Sequence, residues 1–237
     1  FNALTGMKQH TGNWAGKTVT NAAGKCEHNG KKYILADLPG TYSLMAHSAE
    51  EEAARDFICF GMPDAVIVVC DATCLERNLN LLLQTLEITP KTVLCINLLD
   101  EAAKKGISIN TELLSDILGI PVVGVTAREE KGLDKLMDAV ENIIENPPET
   151  AFIPSYSRSL EEEISRLSSK LLPFTDGFLP QRWTAIKLID RNDTLTNSIN
   201  SFLGNDIEDE LFGTLNVCRE ALARKSYNPQ NISDEII

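Results

Sequence analysis

The chain has 237 residues and a formal net charge of −12, from 22 Lys and Arg against 34 Asp and Glu. Hydrophobic residues make up 43% of it, which is enough for a packed core and excludes wholesale disorder. Because an acidic surface repels a phosphate backbone, the composition predicts no nucleic-acid partner.

Strand-like and helix-like stretches alternate between residues 30 and 146. Short apolar or β-rich runs predict strands, and stretches with helical leucine spacing predict helices between them. In chain order the predicted elements are strand 32–38, helix 53–60, strand 65–70, helix 74–88, strand 91–97, helix 111–118, strand 121–125 and helix 133–144. This alternation predicts an α/β fold with a mostly parallel sheet, which binds ligands beyond the carboxyl ends of its strands.

The second part of the chain has a different pattern. Residues 147–157 are rich in proline and predict a linker between an α/β domain over 1–146 and a helical domain over 158–237. Helices are predicted there at 160–172, 182–189, 194–202 and 207–223, with Trp183 on a core-facing side. There is no secretory signal and no apolar run near the roughly 20 residues of a membrane helix, so we expect a soluble piece, whether or not its parent spans a membrane.

The first motif is Asp37-Leu38-Pro39-Gly40, which closes a predicted strand. The Asp37 carboxylate can hold Mg²⁺, usually through water, because this ion keeps much of its hydration. Gly40 has no side chain and can bring its backbone N–H close to a γ-phosphate. An ordinary turn after a strand is the alternative interpretation.

The second motif, Asn97-Leu98-Leu99-Asp100, also ends a predicted strand. Guanine presents the N1–H and the exocyclic N2 amino group as donors, and one ionised Asp100 accepts both. Adenine lacks that amino group, so a site built around the pairing rejects it. The alternative is that Asn97 is a turn residue and Asp100 an N-cap of the following helix.

The third motif, Thr126-Ala127-Arg128, ends the next predicted strand. Its backbone N–H groups are candidates for contacting guanine O6, with a polar turn as the alternative. The order of the three motifs, separated by about 60 and about 30 residues and each at a strand end, favours a guanine-nucleotide site over coincidence.

The sequence resembles the cytosolic GTPase part of the bacterial ferrous iron transport protein B family. The resemblance spans nearly the whole chain and is carried by GNWAGKTV at 12–19, DLPGTYSL at 37–44, NLLDEAAKKGI at 97–107 and RWTAIKL at 182–188. It implies a Ras-like G domain followed by a helical nucleotide-retention (GDI-like) domain. It also implies GTP and GDP as ligands, with Thr18 on Mg²⁺ as a catalytic switch residue beside Gly40. The implied location is the cytoplasmic face of the bacterial inner membrane, with the membrane domain of the same parent chain as partner.

One feature departs from that family pattern, and two further positions differ from other GTPases. The phosphate-binding loop GxxxxGK[ST], expected just before Phe1, is not found, which predicts a fragment with weak GTP binding and two exposed strand edges. Thr41 replaces the Gln that orients water in Ras-like enzymes, which predicts slow hydrolysis or help from K⁺. Leu98 replaces the Lys that lies on the base in many GTPases, which predicts fast nucleotide exchange.

Two other functions stay open at this point, together with the oligomeric state, for which a homo-oligomer is possible. A soluble ribosome-assembly GTPase has the same loops, although the acidic charge argues against it. An interaction module whose nucleotide site has decayed is the other. The six cysteines predict reduced core thiols, and Cys26-Glu27-His28 resembles half a metal site without a second half in the sequence.

Overall fold

The computed structural model describes residues 1–6, 11–13, 20–41, 44, 48–175, 177–190, 193–204 and 206–225. The chain divides into two compact units, Phe1–Phe152 and Ile153–Ile237. The predicted switch residue Thr18 lies outside the described residues.

The first unit contains an antiparallel sheet of three strands in the order β1-β2-β3. These strands are β1 (Thr11–Asn13), β2 (Thr20–His28) and β3 (Lys31–Asp37). The turn between β2 and β3 is Asn29-Gly30, and both residues have positive φ angles, 49° and 75°. This conformation suits a two-residue hairpin turn, because its twist matches that of the two strands.

The second sheet of this unit is parallel, in the order β4-β5-β6. Its strands are β4 (Val66–Asp71), β5 (Thr92–Asn97) and β6 (Val122–Gly124). Asp71 is in register with Asn97, so the carboxyl ends of β4 and β5 lie side by side. The α/β class predicted from the sequence is confirmed.

Helices of the first unit separate the strands along the chain. They are α1 (Asn2–Thr5), α2 (Ala49–Phe60), α3 (Leu75–Ile88), α4 (Leu99–Lys104), α5 (Thr111–Leu118) and α6 (Leu133–Glu145). Side chains of β5 alternate between two buried clusters: Leu94 and Ile96 pack in one, and Val93 and Cys95 in the other. Burial on both faces explains why β5 is a continuous apolar run, and it raises the pKa of the Cys95 thiol to about 11.

Two of the outer strands, β3 and β4, carry exposed apolar side chains. Among the described residues, β3 pairs only with β2, and β4 pairs only with β5. Ile34 of β3 is 72% exposed and Val69 of β4 is 59% exposed, although both stand in strands. Both side chains thus belong to outer strands of their sheets.

The second unit is helical over its described residues. Its helices are α7 (Arg158–Thr175), α8 (Gln181–Asp190), α9 (Asp193–Leu203), α10 (Ile207–Glu210) and α11 (Phe212–Arg224). The single helix predicted over 207–223 is interrupted at Leu211, which is buried and leaves helical geometry at φ −105° and ψ 11°. Trp183 is 2% exposed, as predicted for a core residue.

Two residues of the proline-rich segment, Phe152 and Pro154, are each hydrogen-bonded within their own unit. The N–H of Phe152 donates to Leu118 of the first unit at 2.8 Å. The guanidinium of Arg182 donates to the carbonyl of Pro154 at 3.0 Å and also pairs with Glu161. None of the described helices is both long enough and apolar enough to cross a bilayer.

Candidate functional site

The Asn97-Leu98-Leu99-Asp100 motif forms a tight corner between β5 and α4. Asn97 is the last residue of the strand, and Leu98 adopts a left-handed conformation with φ 63° and ψ 35°. Leu98 is also the N-cap of α4, without a side-chain cap, so Asp100 lies in the first turn of the helix. The interpretation of Asp100 as an N-cap is therefore wrong, and its carboxylate is available for another role.

A hydrogen bond joins this corner to the third motif. The backbone N–H of Ala127 donates to Asn97 Oδ1 at 3.1 Å, across 30 residues of sequence. In addition, the N–H of Leu99 approaches the carbonyl of Val125 at 3.4 Å. The two motifs predicted to read the base thus form one connected loop pair.

Only one of the two Asp100 carboxylate oxygens accepts a hydrogen bond among the described residues. Its Oδ2 accepts from Arg128 Nη2, and the same nitrogen donates to Glu101 Oε1 at 2.9 Å. Its Oδ1 is buried and has no hydrogen-bond partner among the described residues. An unpaired buried carboxylate oxygen is costly, and it is the group that donors of a ligand would satisfy. The charge of Asp100 raises the pKa of Arg128, which stays cationic.

The loop that carries Thr126 and Arg128 is closed by backbone contacts. Thr126 is buried and exchanges backbone hydrogen bonds with Lys131, at 3.0 and 3.3 Å. Gly132 follows with φ +82°, and a Cβ at this position would lie 2.6 Å from the carbonyl oxygen of Gly124. Only glycine fits here without a shift, so Gly132 fixes the return of the loop into α6.

We therefore expect Gly132→Ala to destabilise the first unit by about 2 kcal/mol or more, because it adds a backbone clash to the left-handed strain. Urea unfolding followed by circular dichroism measures this loss. Gly106→Ala is the matched control, since Gly106 has φ +72° but nothing within 4 Å of an added Cβ. Equal losses in the two variants would show that the contact with Gly124 is unimportant.

The Asp37–Gly40 motif lies at the end of β3, in the other sheet. Asp37 is the last residue of β3 and half-buried, whereas Gly40 is exposed with open space around its Cα. Gly40 and Thr41 line a cavity of about 270 Å³ together with Val69, Asn78 and Leu81. Within the described residues, no hydrogen bond joins Asp37 or Gly40 to the Asn97 corner, so the structure brings the base-reading motifs together but not these two.

Two residues of α3 support the site and were missed by sequence reasoning. Asn78 Oδ1 accepts from the N–H of Asp71 at 3.0 Å, which holds the carboxyl end of β4. Gln84 is 4% exposed and accepts from the N–H of Leu44, 40 residues earlier in the chain. The sequence carries no signal for either contact, because the burial of Gln84 becomes visible only in the structure.

Comparison with known proteins identifies the family of this chain. The family described as "Ferrous iron transport protein B" matches residues 1–140, and "FeoB cytosolic helical domain" matches residues 156–236. The chain belongs to the FeoB family. Its first unit is thus the FeoB G domain and its second the FeoB cytosolic helical domain, which confirms the resemblance found in the sequence.

Individual FeoB proteins are similar along most of the chain. The Fe(2+) transporter FeoB of Escherichia coli K12 is 36% identical over 194 residues, covering 80% of this chain and 25% of that protein. The chain therefore spans about a quarter of that relative's length. The structure of the T. maritima FeoB cytosolic domain in GDP form I has 32% identity and a TM-score of 0.76, covering 100% of this chain and 90% of that one. Its GMPPNP form has 31% identity and a TM-score of 0.73, at coverages of 99% and 92%.

Proposed function

We propose that this chain is the GTP-binding and GTP-hydrolysing switch of a ferrous iron transporter. The observation that carries the proposal is the buried, unpaired Oδ1 of Asp100, next to the Asn97–Ala127 hydrogen bond. The N1–H and N2 amino group of guanine supply the two donors that this carboxylate needs, and they replace Arg128 on the other oxygen. Leu98 gives the base apolar contact without a charge, and the Thr126 loop offers backbone N–H groups to O6.

The phosphate half of the proposed site lies at the end of β3. Asp37 supplies a hard oxygen ligand, which fits Mg²⁺, since this ion is held by one or two carboxylates plus phosphate oxygens and water. We assign Thr18 as a second Mg²⁺ ligand and the Gly40 N–H as a donor to the γ-phosphate. Both segments become ordered by GTP and are released on hydrolysis. Because Thr41 has no amide to orient water, we propose that K⁺ assists the reaction.

The proposal also includes the location of the switch and its role in the parent protein. The E. coli relative is named an Fe(2+) transporter, and the similar structures are described as cytosolic domains. We propose that the chain lies on the cytoplasmic face of the bacterial inner membrane and regulates Fe²⁺ uptake through a membrane domain of the same parent chain. The helical unit is proposed to couple the G domain to that membrane domain.

GTP turnover in K⁺ and in Na⁺ tests this function. Two proteins are compared: the 237-residue chain, and the same chain joined at Phe1 to the strand and phosphate-binding loop of a FeoB relative. We expect Mg²⁺-dependent turnover in the joined protein, faster in K⁺, and its loss on Asp37→Asn. No turnover in either salt would instead favour a decayed interaction module. Tight, salt-sensitive RNA binding would favour a ribosome-assembly GTPase.

A further inference from the structure

The tip of the β2–β3 hairpin contacts α6 through a group of polar side chains. His28 is the last residue of β2, while Asp138 and Glu141 stand three residues apart on α6 and so share one face of that helix. One nitrogen of His28 and one carboxylate oxygen from each acid all lie within 4.8 Å of one another. His28, one of the three residues that the sequence offered as half a metal site, therefore lies beside α6, with Asp138 110 residues later in the chain.

The three donors differ in how firmly they are held. The His28 side chain is only 13% exposed, so packing fixes the direction of its imidazole. Asp138 is 59% exposed, and its Oδ1 lies 2.7 Å from His28 Nε2. The hydrogen bond with His28 keeps the pKa of Asp138 below its usual range. A fixed nitrogen thus faces an ionised carboxylate that is able to turn.

Glu141 is shared with a lysine that has a second partner. Lys31 Nζ lies 2.6 Å from Glu141 Oε1 and also contacts Glu145, while Asn29 donates to Glu141 Oε2 at 2.9 Å. Two carboxylates, those of Glu141 and Glu145, therefore share one lysine. If the Glu141 carboxylate bound another cation, Lys31 would still pair with Glu145. Both Glu141 and Lys31 would therefore keep a partner of opposite charge.

We propose that His28, Asp138 and Glu141 form a binding site for one divalent first-row transition-metal ion, separate from the nucleotide site. One imidazole nitrogen with two carboxylates is a donor set that suits Zn²⁺, Fe²⁺ or Co²⁺, whereas Mg²⁺ and Ca²⁺ prefer oxygen alone. Three protein ligands leave coordination positions for water. The ion would tie the hairpin to α6, and it would stabilise the first unit because the unfolded chain does not bring the donors together.

Co²⁺ is the probe for this site, because its ligand-field absorption reports the donors. The 237-residue chain is titrated without oxygen and with excess Mg²⁺, which occupies sites made only of oxygen. We expect one equivalent of Co²⁺ to bind, with ligand-field bands but no thiolate charge-transfer band. Competition with Fe²⁺ and Zn²⁺ then ranks the metals, and binding of either displaces Co²⁺.

Substitutions separate a metal site from a purely structural cluster. His28→Ala and Asp138→Asn are each expected to weaken Co²⁺ binding at least about tenfold, a typical consequence of losing a ligand. Lys31→Met should tighten it several-fold, since it removes the competing cation from Glu141. Asp116→Asn, at an exposed carboxylate of α5, should leave it unchanged.

Thermal unfolding with and without Co²⁺ provides a second readout for each variant. If His28→Ala does not fold, Lys31→Met still tests the proposal, because it leaves all three metal ligands in place. The proposal is overturned if no saturable Co²⁺ binding occurs. It is equally overturned if binding survives His28→Ala, or if Lys31→Met weakens it.

Discussion

Replacing Asp100 with Asn is expected to lower the affinity for GDP by about 100-fold, which corresponds to about 2.7 kcal/mol. The Asn amide would place a donor against the donors of guanine and leave buried groups unpaired. Xanthine carries a carbonyl in place of the amino group, so the same substitution should raise the affinity for xanthosine diphosphate. Titration of both nucleotides by fluorescence, in the chain and in the joined protein, measures the exchange of specificity.

Glu101→Gln is the matched control for that experiment. Glu101 is the next residue, and it also accepts from Arg128, at 2.9 Å, but its carboxylate is not the buried one. Its substitution changes the charge and the Arg128 contact in the same way, and we expect GDP affinity within about threefold of the original. If Asp100→Asn weakened both nucleotides equally, Asp100 would not be the group that reads the base.

Truncating Trp183 to Ala is expected to reduce the free energy of unfolding of the helical unit by about 3–5 kcal/mol. Trp183 lies on α8, 2% exposed, and is the largest of the fully buried side chains in the described residues. Its removal leaves a cavity that the neighbouring helices fill only in part, so contact energy is lost along with the burial of the ring. Urea unfolding monitored by far-ultraviolet circular dichroism measures the change.

Phe178→Ala serves as the comparison within the same unit. Phe178 is 56% exposed and makes an edge-to-face contact with Phe202, with ring centroids 6.4 Å apart. Its truncation should cost about 1 kcal/mol, because little of the ring is removed from water. A loss below about 1.5 kcal/mol for Trp183→Ala would mean that the core of this unit does not depend on the indole.

The parallel half of the G domain was predictable because its strands are buried on both faces. The run at 91–97 is apolar from Val93 to Ile96, and the structure places β5 over Thr92–Asn97 with those four residues at most 3% exposed. A strand buried on both faces has no exposed position for a polar side chain, so its centre is a continuous apolar run that the sequence shows clearly. The helix predicted at 111–118 matches α5 for a similar reason, since Gly119 ends it in a left-handed conformation.

The antiparallel half was predicted only in part. The strand at 32–38 was found, but β2 was not, because its sequence TNAAGKCEH has no apolar alternation. Asn29-Gly30 was the missed signal, since this dipeptide marks a hairpin between two strands. Because β2 was not predicted, the contact between the hairpin and α6 could not be predicted either. The same holds for the residues that surround His28.

The proximity of the two loops that we propose to read the base was predictable, because both loops follow neighbouring strands. The contact between Asn97 and Ala127 follows from the parallel register of β5 and β6. The supporting contacts of Gln84 and Asn78 were not predictable, because they depend on which side of α3 meets loops far away in sequence. Likewise, no pattern in the sequence announces that Arg128 covers Asp100.

The left-handed backbone at Leu98 limits which residues can replace it. A side chain other than Gly or Asn is strained by about 1 kcal/mol at such a φ angle, and branching at Cβ makes the strain larger. Val, Ile and Thr are thus poor replacements at position 98, while Asn or Gly would relax the corner. The substitutions that position 98 accepts without strain are therefore set by its backbone conformation, independently of what the loop binds.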